Sequence, residues 1–222
     1  QSKQDTYDYQ TDKQHLGFKP SFNFNNVTFS PFLNGSQQTF ASFSMKNGKP
    51  NECNGISACD IKAIQDQINF GARLTWRGTG LPFTSYILLN QLHEDNSNVA
   101  LNQTGANTEQ SKAKYNTQEL GLSYGEATIK TSVNWSNGVR TPTLYELFGD
   151  RGAFKGNENL LPEEAQTYSL SINYQNKIVE VPFNASASIY QQSIKNSIVA
   201  IFNSSGTGSY SNVSNAELLG FE

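Results

Sequence analysis

No run of apolar residues in this chain is long enough to cross a membrane as a helix. The longest, Tyr86–Leu89 and Ile198–Phe202, fall far short of the about 20 residues that such a span needs. Charge is sparse and nearly balanced, with 16 Lys+Arg against 19 Asp+Glu and a formal net charge of -3. That excludes a strongly basic nucleic-acid binder, so no nucleic-acid partner is expected. With only 2 His and 2 Cys the sequence offers no complete metal-ligand set, and no metal site is expected. Cys53 and Cys59 fit a small disulfide-closed loop, which implies an oxidising compartment. Half of a metal site is the rival reading, but no further Cys and no nearby His completes it. Periodic arrays of helix formers are also missing. The one exception, Asp60–Asp66, reads as a helical turn or two.

Catalytic signatures are absent as well. The sequence holds no Gly-x-Ser-x-Gly elbow, no phosphate-binding loop and no His-Glu-x-x-His pair. The carboxylate pairs Glu94-Asp95 and Glu163-Glu164 read as solvated loop charges or strand-end caps rather than an acid/base pair. No catalytic residue, no enzyme activity and no cofactor is expected.

What the chain does have is aromatics, Asn, Ser, Gln and Thr, arranged with period two. Ile68, Phe70, Ala72, Leu74 and Trp76 alternate with Asn69, Gly71, Arg73 and Thr75. Similar alternation predicts strands over about 83–93, 112–124, 127–136, 166–174, 181–190 with an extension over 194–202, and 210–222. Short turns at 78–81, 125–126 and 175–178 alternate with long polar loops at 46–65, 94–111 and 137–163. Short turns at one end and long loops at the other suit an outer-membrane β-barrel. Trp76, Tyr124, Tyr174 and Phe183 then fall near the short-turn end, and Trp135 and Tyr168 near the long-loop end, as two aromatic girdles. A soluble β-sandwich with the aromatics inside shares this alternation. The aromatic, Asn-rich segment 18–32 reads either as a loop whose rings stack on a ligand or as strand ends with ordinary loop packing. Asn-x-Ser/Thr triplets recur, but Asn134 and Asn184 sit mid-strand, a poor place for a glycan.

Several segments together resemble the barrel of the TonB-dependent outer-membrane receptors. They are His93-Glu94-Asp95-Asn96-Ser97; Arg140-Thr141-Pro142-Thr143-Leu144-Tyr145-Glu146-Leu147; Gly156-Asn157-Glu158-Asn159-Leu160-Leu161-Pro162-Glu163; Ile189-Tyr190 with Ile194–Ile198; and Tyr210 to Glu222. Thr141 and Glu158 stand where the family has Ala and Pro. The resemblance covers about residues 66–222. It implies an all-β, antiparallel transmembrane barrel of about 22 strands filled by a plug. Residues 1–222 would be an incomplete, mid-barrel part of it, with the plug, its TonB box and the closing strands outside the chain.

The resemblance also implies a function. A scarce small-molecule ligand would be taken into the periplasm by energised transport, with outer-membrane lipid and the TonB energy-transducing complex, reached through the plug, as partners. Arg140, Tyr145, Arg151 and Phe154 are the candidate ligand-binding residues. An arginine pairs with carboxylate or phosphate, and a ring stacks on a flat ligand. Arg140 and Tyr145 have a structural alternative, that of tying the long loop to its neighbours. Haem-receptor relatives often carry a His between the two motifs, and none lies between Arg140 and Leu160. An iron-siderophore or cobalamin is therefore favoured over haem. A passive porin or channel, and a secreted β-sandwich of the adhesin or carbohydrate-binding kind, are the alternatives.

Overall fold

A computed structural model describes residues 5–46, 49–50, 60–100, 109–126, 128–149, 154–178 and 181–222. The strands are β1 Asp5–Phe18, β2 Phe22–Phe24, β3 Val27–Lys46, β4 Lys49–Pro50, β5 Ile61–Arg77, β6 Phe83–Ala100, β7 Glu109–Gly125, β8 Ile129–Arg140, β9 Phe154–Lys155, β10 Glu163–Ile178, β11 Val181–Phe202 and β12 Gly208–Phe221. One short helix, α1 Leu144–Phe148, stands between β8 and β9. All strands join one sheet, in the order β1-β3-β5-β6-β7-β8-β10-β11-β12-β9, with β2 and β4 paired to β3. Every pairing of the long strands is antiparallel between chain neighbours. Among the described residues β1 and β12 do not pair, so the sheet is open.

The two faces of this sheet are chemically opposite. Phe70, Val133 and Ile172 are 42%, 52% and 48% exposed, and Ile68, Leu74, Leu120, Leu122 and Leu170 stand beside them on the same outward face. A soluble protein does not leave a face of this size uncovered. A lipid-facing barrel wall requires it, which excludes the sandwich. The opposite face is a hydrogen-bonded polar ladder. The Arg73 guanidinium lies 3.7 Å over the Tyr86 ring. The Tyr86 hydroxyl donates to the Glu119 carboxylate and lies 3.0 Å from Asn134 Oδ1. Asn90 Nδ2 donates to Thr117 Oγ1 at 3.1 Å. Tyr86 has room for this because Gly121 lies beneath it; a Cβ there would come 2.0 Å from the ring.

Chain direction gives the sheet two ends. Tight connections join β2 to β3 at Asn25-Asn26 and β5 to β6 at 78–82, and β7 ends and β8 begins at the same end. Asn25 (φ 49) and Gly80 (φ 75) supply left-handed turn conformations there. Rings gather at this end: Phe22 on Phe29, Trp76 on Phe83 and Tyr174 on Phe183. The chain leaves β3 at Lys46 and β8 at Arg140 at the other end.

Three expectations change at the strand ends. Asp60–Asp66 is no helical turn, because Ile61–Arg77 is one strand from its first residue, paired on both sides with β3 and β6. The polar segment 94–111 is strand as far as Ala100 and again from Glu109, because the two strands keep pairing as a hairpin (Ser97 opposite Gln110). Segment 18–32 is the short-turn end of β1, β2 and β3. Its rings therefore lie far from the long loops.

A charge placed on the greasy face costs what hydrocarbon charges. Leu170→Arg is expected to destabilise the barrel by about 2–4 kcal/mol, while Ser171→Arg on the polar face costs far less. Urea unfolding of the full-length protein in phospholipid vesicles measures both.

Candidate ligand-binding mouth

The connection from β8 to β10 folds inward over the polar face instead of projecting outward. Pro142 favours an extended residue before it, and Thr143 starts the helix as its N-cap. Its Oγ1 accepts from Glu146 N at 3.2 Å, and its own N donates to Glu146 Oε2 at 2.8 Å, a complete capping box. Gly149 (φ 70) closes the helix, its N donating to Tyr145 O at 2.7 Å. The helix directs Leu144, Leu147 and Phe148 onto Phe40, Ile61, Ala63 and Leu160, the buried apolar cluster of the described residues. The return leg is pressed against the helix at Gly156, where a Cβ would come 2.2 Å from Leu147 O.

Arg140, Tyr145 and Phe154 all lie in this mouth, each with protein partners. Arg140 is the last residue of β8 and stands opposite Glu163, the first of β10. Its Nε donates to Glu163 Oε2 at 2.6 Å and its Nη1 to Glu146 Oε2 at 3.0 Å. Glu163 Oε1 in turn accepts from Ile198 N at 2.7 Å. One guanidinium thus joins the wall, the helix cap and β11. The hydrogen bond from Arg140 holds the Glu163 carboxyl below the usual carboxylate range, and Glu163 in turn raises the guanidinium's affinity for its proton. Tyr145 is ringed by Tyr9, Phe40, Phe154 and Tyr210, with centroids 6.1 to 6.3 Å away. Phe154 stacks on Tyr210 at 5.5 Å and meets Phe202 edge-on at 5.4 Å. Arg151, Cys53 and Cys59 lie outside the described residues.

Between this loop and the outer ends of β6 and β7 is a cavity of about 620 Å³, lined among others by Glu94, Asn96, Ser111, Tyr115, Leu147 and Leu160. Glu94 is no solvated loop charge. It is 4% exposed and faces inward. Its carboxylate accepts from Gln67 Nε2 at 2.7 Å and from Asn96 Nδ2 at 2.8 Å. Gln67 Nε2 also reaches Thr141 Oγ1 at 3.3 Å, joining the cavity to the mouth loop. Glu94 was not among the expected site residues. Extending the alternation of β6 past His93 would have placed it on the inward face with Asn90 and Leu92. Among the described residues no group of three His, Cys, Asp or Glu side chains is placed to hold a metal ion.

Two expected outcomes test this anchoring. Leu144→Ala removes the buried centre of the cluster. It should cost the loop about 2–4 kcal/mol of local stability, seen as faster hydrogen exchange over 144–149 with the barrel strands unchanged. The second concerns acid. Because the folded-state value of Glu163 lies below its ordinary 4.5, its link to Arg140 is fully present above that pH. The link is lost as the pH falls through the lowered value. Solvent at this half-exposed arginine limits the gain to about 1 kcal/mol. Limited proteolysis of the loop should accelerate on acidification, and Glu163→Gln should shrink that acid step.

Residues 120–222 match the family model described as TonB dependent receptor-like, beta-barrel. No curated protein sequence matches the chain. Among solved structures, the copper transporter OprC superposes with a TM-score of 0.74 at 13% identity, over 96% of this chain and 35% of its own. The Serratia marcescens hemophore receptor HasR, solved with its hemophore HasA and heme, gives 0.67 at 13% identity over 98% and 39%. FauA, the alcaligin outer-membrane receptor of Bordetella pertussis, gives 0.60 at 15% identity over 98% and 36%. The chain thus spans little more than a third of each of these structures. At such identities they speak for the fold. Residues 120–222 match the TonB-dependent receptor β-barrel, and the strands before them continue the same antiparallel wall, so the whole chain has the architecture of a stretch of such an outer-membrane barrel.

Proposed function

We propose that residues 1–222 form part of the barrel domain of a plugged receptor of about 22 strands, which takes a scarce small-molecule ligand into the periplasm by TonB-driven transport. The observation that carries this reading is the mouth loop. It is folded into the opening, capped, and fixed to β3, β5 and β12, with a cavity of about 620 Å³ beside it. A passive pore has no need of an apolar anchor across its entrance. The similar structures are named for copper, for a hemophore with heme and for alcaligin. We favour an iron-siderophore or cobalamin over haem: neither His15 nor His93 lines the cavity, which leaves Tyr115 as the axial ligand among its described lining residues. Outer-membrane lipid is the partner of the outward face, and TonB, through a plug, the source of energy.

Arg140, Tyr145, Arg151 and Phe154 remain the proposed ligand-facing set. Of these, Arg140 and Tyr145 also carry the loop's internal ties. Substituting them is therefore expected to disorder the mouth as well as weaken binding.

Uptake of radiolabelled ferric siderophores and cobalamin by cells expressing the full-length protein tests the proposal. Transport of one of them should stop when TonB is deleted or the proton gradient is collapsed. Uptake that persists at the same rate without TonB would make this a passive channel.

A further inference from the structure

The cavity beneath the mouth loop is chemically one-sided. Among its described lining residues Glu94 and Glu158 are acidic and none is Lys, Arg or His. Glu94 is buried, and no cation lies within ion-pair distance of it among the described residues. Two neutral amides, from Gln67 and Asn96, are the side-chain donors to its carboxylate. Asn96 spends its amide N–H on Glu94, and its own Oδ1 is buried without a hydrogen-bond partner. Among the described residues the cations nearest in the fold point or pair elsewhere, and Lys114 shares the outward side of β7 with Lys112. Lys112 pairs with Asp95 at 2.8 Å, whose neighbours in sequence place it on the outward face, and Arg140 pairs with Glu146 and Glu163. Beside an apolar wall that includes Leu147, Phe148, Leu160 and Leu161, the charge that the described walls offer a ligand is negative. A buried carboxylate without a counter-charge repels an anion strongly, because little water screens it.

We propose that this cavity selects a neutral or cationic ligand rich in hydrogen-bond donors and excludes polyanionic chelates, with Glu94 as the selecting charge. This deepens the receptor reading given above and rests on it. Within iron carriers it favours hydroxamate-type chelates of zero or positive charge over catecholate or carboxylate chelates that carry several negative charges.

The test reads the charge of the cavity directly, with the full-length protein in outer-membrane vesicles. Ala113→Cys and, separately, Ser111→Cys place a thiol on the cavity wall, and Ser204→Cys places one on an exposed outer turn. Each reacts with a cationic (trimethylammonium) and an anionic (sulfonate) methanethiosulfonate of similar size, after subtraction of the rate without the introduced cysteine. Normalised to Ser204→Cys, the cation should react about tenfold faster than the anion at the cavity thiols. Glu94→Gln, which keeps the shape and the acceptor oxygen, should bring that ratio close to one. A ratio near one in the native background, a preference for the anion, no reaction with either reagent, or a ratio that Glu94→Gln leaves unchanged would overturn the proposal. Loss of TonB dependence in the uptake assay would leave this result untouched, so the two readings fail separately.

Discussion

Hydrocarbon offers a peptide group nothing to hydrogen-bond with, and the rest of this structure follows from that. Each long strand must spend its N–H and C=O groups on its neighbours, and the antiparallel registers running from β1 to β12 do so. Once the backbone is committed, side chains alternate. Leu170 and Ile172 meet lipid, and Ser169 and Ser171 turn to the lumen. The low mean hydropathy, -0.54, follows from the same division. Half of every strand is wet.

Above the membrane the constraint relaxes, and there the sequence becomes harder to read. Between Ile68 and Trp76 alternation marks the strand because one face must be greasy. From Glu94 to Asn98 both faces meet water or other protein, so Asn, Asp and Ser are tolerated and the segment looks like a loop. What keeps it extended is the neighbouring strand, which no local pattern reports. Asp60–Asp66 looks helical in sequence for a related reason. Its buried face is closed by Leu144, from a distant part of the chain. The N-terminal strands were obscured by prolines and Asn at the short-turn end, where Pro31 lies within β3 opposite Ala72.

The mouth was legible as a motif and opaque as a mechanism. Thr143 and Glu146 stand at the spacing of a capping box, which the sequence displays openly. The role of Arg140 depends on Glu163, which β10 brings alongside. Tyr145 depends on rings as distant in sequence as Tyr9 and Tyr210. Such contacts exist only after the sheet has curved. The same holds for Glu94, whose burial is created by the loop that covers it. The residues that recognise a ligand and those that hold the recognising loop in place are, in this mouth, partly the same residues.

The outward greasy face is the claim on which the rest stands, and spin-label accessibility along β10 tests it most directly. Nitroxides placed singly from Tyr168 to Tyr174 in the full-length protein in bilayers should alternate with period two. Positions 170 and 172 should be relaxed by oxygen, and 169, 171 and 173 should be shielded from it. Labels at 170 and 172 that are immobile and inaccessible to oxygen, with 169 and 171 open to aqueous nickel chelate, would contradict it.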